Sequence, residues 1–223
     1  MAEADGLDSL LVGRLEHWDA MYRKRSPQDL SWHEPVPAVS LRIVHAAIVD
    51  GARSVIDVGG GASRLVDNLV SLGLDRLAVL DLSSAAIDIA RERLGTAAEA
   101  VEWIDADVTD VADLGQFAVW HDRAVFHFLT EPSERARYVD LCERTVTPGG
   151  IAVVATFAPD GPEMCSGLPV RRYDASELAS ECGPNFRLID SERYVHRTPR
   201  GVHQSFLYTS FRRLIDDAEL VNT

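Results

Sequence analysis

Three carboxylates set around a run of glycines carry the chemistry this sequence declares first. Asp57 closes a short β-branched run, Ser54-Val-Ile-Asp-Val, and Gly59, Gly60 and Gly61 follow at once. Successive glycines let a chain turn sharply and bring its backbone against a ligand, with the next helix's N-terminus aimed at the same place. Asp81 ends the next apolar run, about 20 residues beyond Gly61, where an acid can accept both hydroxyls of a ribose. Asp107 falls in the loop after a third run, where a carboxylate can accept from an adenine amino group. Leu82 and Val108, next in the chain to those acids, are expected to flank the same ligand. Asp57 discriminates between ligands. A carboxylate inside the turn suits a cationic group, whereas a pyrophosphate wants bare N–H groups and no acid aimed at it. The dinucleotide fingerprint started at Gly59 would also need a glycine at position 64, which is Arg64. An NAD-type oxidoreductase is therefore the weaker reading.

The elements that must position these residues follow from periodicity. Apolar runs alternate with helical patterns from the strand Ser54 to Val58 onward. Helices are expected over Ser63 to Leu72, Ala85 to Leu94 and Pro132 to about Val146, with Ser83-Ser84 as an N-cap. The further strands are Leu77 to Leu82, Val101 to Ile104, a fourth near Phe117 to His121, and a fully apolar fifth, Ile151 to Phe157. Such alternation implies a parallel sheet with right-handed crossovers. The rhythm then breaks. After a helix near Ala175 to Cys182, two strand-like runs, Phe186 to Val195 and Val202 to Phe211, are joined through Thr198-Pro-Arg-Gly with no helix between them. That reads as a terminal antiparallel hairpin. Ahead of the sheet, Leu10 to Arg25 and Val39 to Val49 have helical spacing, separated by the Pro-bounded loop Leu30 to Pro37 with Trp32 and His33.

Bulk properties narrow the partners. A chain of 223 residues makes one well-cored domain. Net charge is −13, and Lys24 is the single lysine, so nucleic acid is not expected as the main partner. The acidic surface slightly favours neutral or cationic substrates by steering. Cys142, Cys165 and Cys182 show no paired spacing, so neither a disulfide framework nor a metal knuckle is expected. No apolar run approaches a membrane span and the first residues lack a secretory pattern. A cytoplasmic protein without membrane attachment is expected.

With these motifs in view, the chain resembles the class I, Rossmann-like S-adenosylmethionine-dependent methyltransferases. The family's D-x-G-x-G-x-G reads Asp57-Val-Gly59-Gly-Gly61-Ala-Ser63, with serine for the last glycine. Asp81 and Asp107 match the second- and third-strand acids, and Pro148-Gly149-Gly150 matches the turn before strand five. The resemblance implies a doubly wound α/β fold: a seven-stranded sheet of order 3-2-1-4-5-7-6 with the last strand antiparallel, and an N-terminal helical cap. It implies three segments: a helix and lid segment 1–38, the Rossmann-like domain 39–215, and a flexible tail 216–223. It implies S-adenosyl-L-methionine as cofactor and methyl transfer to a small-molecule or protein nucleophile, with no metal. Trp120-His121-Asp122-Arg123 at the end of the fourth strand would face the methyl group, with Asp122 or His121 touching the cofactor or the nucleophile. The rival for Asp122 is a cap on the following turn with Arg123 as its partner. Trp32 would belong to a lid; alternatively it fills a core gap. Arg171 and Arg172 would clamp an acidic substrate group and Tyr173 would supply a phenol; alternatively the arginines pair with surplus carboxylates. His127, between two phenylalanines, reads as a packed histidine. A narrower resemblance, through His17-Trp-Asp-Ala-Met-Tyr and Ser31-Trp-His-Glu-Pro, is to a bacterial group related to the methyltransferase-like lysine methyltransferases. Several of those end the fourth strand Asp-Lys-Gly, where this chain has Asp122-Arg123-Ala124. A catalytically silent, cofactor-binding regulatory protein is the other rival.

Overall fold

The computed structural model describes residues 2–215, with side chains described from residue 13 onward. The tail 216–223, expected to be flexible, lies outside the described residues. Seven strands form one sheet: β1 Ser54–Val58, β2 Arg76–Asp81, β3 Glu102–Asp105, β4 Phe117–Arg123, β5 Val146–Phe157, β6 Phe186–Arg197 and β7 His203–Arg213. Their order is β3-β2-β1-β4-β5-β7-β6. β1 to β5 pair in parallel, β7 runs antiparallel to β5, and β6 completes the hairpin. This is the doubly wound Rossmann-like sheet expected. The order reverses direction at β1, between β2 and β4. Open sheets of this kind bind ligands in the crevice beyond the strand ends there.

Helices cover both faces: α1 Ala2–Lys24, α2 Ala38–Val49, α3 Leu65–Leu69, α4 Ser84–Leu94, α5 Pro132–Thr145 and α6 Ala175–Cys182. Val44 of α2 and Leu65, Val66 and Leu69 of α3 pack on Val55, Val79 and Val119. On the other face Tyr138, Leu141 and Cys142 of α5 and Leu178 of α6 pack on Ile56, Trp120 and Val154. Alternation along β4 thus sends Val119 and His121 towards α2, and Trp120 and Asp122 towards α5. Ser83 caps α4 by accepting from the Ala86 N–H.

Two boundaries differ from the sequence expectation. The helix after the glycines has five residues, Leu65–Leu69, instead of spanning Ser63 to Leu72. Turn contacts, Ser63 N–H to Gly60 O and Leu65 N–H to the Ser63 hydroxyl, occupy its expected first turn. So short a helix adds little dipole at the glycine turn. Strand β5 begins at Val146, and Thr147-Pro-Gly-Gly lies within it as a bulge: Val146 faces Phe117 while Ile151 faces Val119. Gly149 adopts φ +78° there, and a Cβ at Gly150 would lie 2.8 Å from the Ala118 carbonyl oxygen.

Candidate active site

The ends of β1, β2 and β4 and the loop after β3 open into one cavity, roofed by α1 and the loop after it. Its lining includes Arg14, Trp18, Tyr22 and Trp32 from above, and Gly59, Asp81, Leu82, Asp107 and Val108 from the sheet. Arg123, Ala124, Phe128, Phe157, Cys165, Gln204 and Phe206 close the far end. The space inside it, counted together with the part open to solvent, is about 870 Å³. A second recess meets it at Tyr22, Trp32, Gly59 and Arg123, and reaches Asp57, Gly60, His33 and His121.

Gly59 sits at φ +66°, and a Cβ there would overlap the Val125 side chain. A Cβ at Gly60 would lie 2.6 Å from Asp57 Oδ2, and one at Gly61 would overlap the Asp81 carboxylate. The glycines therefore let the backbone fold onto the two acids. Asp57 is buried with Oδ1 held by His121 Nδ1 at 2.7 Å, while Oδ2 has no hydrogen-bond partner. His121 Nε2 meets the Ser40 hydroxyl of α2 at 2.9 Å. Both ring nitrogens of His121 therefore have a partner, the carboxylate on one side and the Ser40 hydroxyl on the other. A buried carboxylate oxygen without a donor is costly and attracts a cationic N–H group.

Asp81 Oδ1 accepts the Ser83 N–H at 2.8 Å. Burial, and the charges of Asp57, Asp105 and Asp19, push its carboxyl up to about 7. Asp107 Oδ1 accepts from the Thr109 N–H and hydroxyl, both at 2.7 Å, and its Oδ2 lies 3.6 Å from Arg14 Nη2. That guanidinium also reaches Glu134 of α5 at 2.7 Å. Asp19 of α1 accepts from the Ser83 hydroxyl at 2.6 Å. These two contacts fasten α1 across the cavity. Trp18 stands edge-on to Trp32 and Phe128, with ring centroids 5.6 and 5.1 Å apart.

Trp32, Gly59, Gly60, Asp57, Asp81, Leu82, Asp107 and Val108 line these two recesses, whereas Gly61 lines neither and packs against Asp81 and Ala86. The structure places four other expected site residues elsewhere. Asp122 faces α5, because strand alternation turns it away from Arg123. Its Oδ1 accepts the Val125 N–H at 2.8 Å; its Oδ2 accepts the Phe126 N–H at 3.0 Å and the Tyr138 hydroxyl at 2.6 Å. It anchors the turn after β4 instead of facing a ligand. Arg123, its expected partner, pairs with Glu34 at 3.4 Å. Tyr173 is sealed in the core against Phe126, since its N–H is tied to the Phe157 carbonyl. Arg171 reaches Glu181 at 3.6 Å and Arg172 reaches Glu163 at 2.8 Å. Both arginines therefore serve the chain's own carboxylates. His127 is wholly buried, and burial pushes it down to about 3.

Sequence reasoning missed Arg14, Asp19, Glu34, Ser40, Gln204 and Phe206. No local motif marks them, because each arrives from a distant segment. Trp18 and Tyr22 left a trace only in the helical spacing of Leu10 to Arg25.

The strand order and the flanking helices define a doubly wound, Rossmann-like α/β architecture. Residues 55–150 match the model of a family described as a methyltransferase domain. No protein of curated function matches the sequence. A solved structure concerning conversion of a disulfide bond into a thioacetal group during echinomycin biosynthesis superposes with TM-score 0.73 and 23% identity, covering 93% of this chain and 96% of its own. Burkholderia thailandensis 1,6-didemethyltoxoflavin-N1-methyltransferase, bound to 1,6-didemethyltoxoflavin and S-adenosylhomocysteine, gives 0.65 and 20%, covering 96% and 90%. The [4+2]-cyclase SpnF gives 0.64 and 14%, covering 86% of each chain. No cluster of His, Cys, Asp or Glu among the described residues is arranged to hold a metal ion. No described helix is long and apolar enough to cross a membrane.

Proposed function

We propose that the chain is a cytoplasmic S-adenosyl-L-methionine-dependent methyltransferase that acts on a small molecule. The observation that carries this reading is Asp57 Oδ2, buried at the glycine turn with no donor, beside a cavity whose other end holds Asp81 and Asp107. Asp57 would take the ammonium of the cofactor's methionine part, Asp81 its ribose hydroxyls, and Asp107 Oδ2 its adenine amine, with Leu82 and Val108 on the adenine faces. When bound, the cofactor supplies an electrophilic methyl on a sulfonium. The protein's own work is alignment and exclusion of water, and Trp18, Tyr22 and Trp32 roof the cavity for that purpose. His121 is a positioning residue that holds Asp57 through Nδ1 and is itself held by Ser40 at Nε2. Direct contact of Asp122, Arg171, Arg172 or Tyr173 with substrate is not part of this proposal.

The small-molecule acceptor is favoured by enclosure. α1 lies over the cavity and is held by Arg14 and Asp19, which leaves no open groove for a protein surface. Kinship with the lysine-modifying group is carried for the N-terminal segment alone, since its Trp18, Tyr22, Trp32 and Glu34 all build this site. Cofactor binding without methyl transfer is the second reading, and the cyclase among the structural neighbours favours keeping it. Calorimetry with S-adenosylmethionine, S-adenosylhomocysteine and NADH separates these readings. The first two should bind and NADH should not. Absence of binding by both adenosyl compounds refutes the proposal, and binding with no methylated product from a metabolite panel favours the second reading.

A further inference from the structure

The cavity's far end, away from Asp81 and Asp107, has an aromatic wall and one charged side chain. Trp18, Trp32, Phe157 and Phe206 line it together with Arg123. The Arg123 guanidinium lies 4.8 Å over the Phe206 ring. Its Nε donates to the Tyr208 hydroxyl and its Nη1 to the Trp32 carbonyl, both at 3.0 Å. Nη2 is cut off from solvent and makes no hydrogen bond; Glu34 Oε1, at 3.4 Å, is its ion-pair partner only. Glu34 is itself shared, because the same oxygen meets His196 Nδ1 at 3.1 Å. A buried cationic donor left unsatisfied on the wall of an aromatic slot is suited to an anion.

Proton chemistry points the same way. Besides Arg123, the ionisable groups lining that end are Tyr22 and Cys165, while His33 and Glu34 line the recess that meets it at Trp32 and Arg123. Burial and the charge of Asp81 push the Tyr22 phenol upward, and burial pushes the Cys165 thiol up to about 11. Both hold their protons at neutral pH, so neither can take one from an acceptor. His127 behind the wall is sealed, with Nδ1 turned to the Phe157 N–H at 3.4 Å. Glu34 is tied to Arg123 and His196, and His33 stands in the adjoining recess instead of the aromatic slot, so an acceptor in the slot is best taken up already deprotonated.

Resting on the methyl-transfer reading above, we propose that the acceptor is a flat aromatic small molecule with an acidic hydroxyl, thiol or ring N–H, taken up as its anion against Arg123. Its proton goes to solvent before binding. Its lone pair forms the new bond to the methyl carbon as the carbon–sulfur bond of the sulfonium breaks, and that bond's electrons return to sulfur. Anion and sulfonium thus become two neutral products, and Arg123 no longer holds the methylated one. An alkylammonium such as lysine would place a cation against the guanidinium. The local charge reverses the preference that the acidic surface alone suggests.

The test uses the full chain saturated with S-adenosylhomocysteine and reads binding, not turnover. The probes are 4-nitrophenol, whose phenolate absorbs in the visible, its neutral relative 4-nitrobenzyl alcohol, and benzylammonium. The expected result is a bound 4-nitrophenol that ionises at least tenfold more readily than in water. The alcohol and the ammonium should bind at least tenfold more weakly. Arg123→Gln should abolish the spectral shift and Arg123→Lys should keep most of it. Equal binding of phenolate and alcohol, or tighter binding of the ammonium, overturns the inference. The comparison of probes on the wild-type chain decides the matter even where Arg123→Gln fails to fold. Loss of S-adenosylhomocysteine binding itself would instead strike the methyltransferase reading.

Discussion

Replacing Asp81 with Asn should make the empty protein more stable and the cofactor weaker, two effects with one cause. Burial among Asp57, Asp105 and Asp19 raises the Asp81 carboxyl from 3.8 to about 7. Its folded-state value lies above its unfolded one, so stability from this group falls as pH rises from about 4 to about 7 and is flat above. At 1.36 kcal/mol per unit the ionised group costs the empty fold on the order of 4 kcal/mol. Asn removes that cost while leaving an oxygen for the Ser83 N–H, and a gain of about 2–4 kcal/mol corresponds to roughly 5–10 °C in Tm for a chain of this size. Binding goes the other way. Ribose hydroxyls donate to a carboxylate, so only the ionised form binds well. With a value near 7 in the empty site, ionised Asp81 is about one part in eleven at pH 6 and ten in eleven at pH 8, a roughly tenfold difference in affinity. Asn should lose about 1.5–3 kcal/mol of binding and that pH dependence with it. Isothermal titration with S-adenosylhomocysteine at pH 6, 7 and 8, beside thermal melts at the same pH values, reads both effects. A wild-type affinity that is flat over this range, or an Asn variant that is less stable, refutes the reasoning.

Three further outcomes follow from named contacts. Gly59→Ala and Gly73→Ala both place alanine near φ +65°, but only Gly59 would drive its Cβ into Val125; Gly73→Ala should cost about 1 kcal/mol and Gly59→Ala about 2–4, with cofactor affinity lost for the latter alone. Asp122→Asn should lower stability by about 2–4 kcal/mol in denaturant melts and leave cofactor affinity within about threefold, since its oxygens hold the turn after β4; unchanged stability with lost affinity would return it to the binding site. Asp19→Ala removes the acceptor for the Ser83 hydroxyl and should speed hydrogen exchange along α1 by about fivefold, for roughly 1 kcal/mol lost; exchange unchanged in α1 would show that this contact does not hold the cover down.

The narrow parts of the site were legible because their chemistry is local. A glycine run at a strand end, with acids at the ends of the next strand and in the loop after the third, follows from strand period and from sterics that act within a few residues. Asp57, Asp81 and Asp107 could therefore be placed by spacing alone. Arg123 and Asp122 show where spacing stops. They are neighbours in sequence, and both looked like site residues, but the pleat sends one to the cavity and the other to α5. Only pairing on both sides of β4 fixes which is which. The hairpin's Phe206 and Tyr208, the loop residue Glu34 and α2's Ser40 reach the site from segments with no motif, because what brings them there is the closing of the sheet onto its helices. The sequence by itself determined the fold class and the end of the cavity that carries Asp81 and Asp107, since these rest on backbone geometry and local period. Only the tertiary structure decided the opposite end, where long-range packing buries the Arg123 guanidinium beside an aromatic slot.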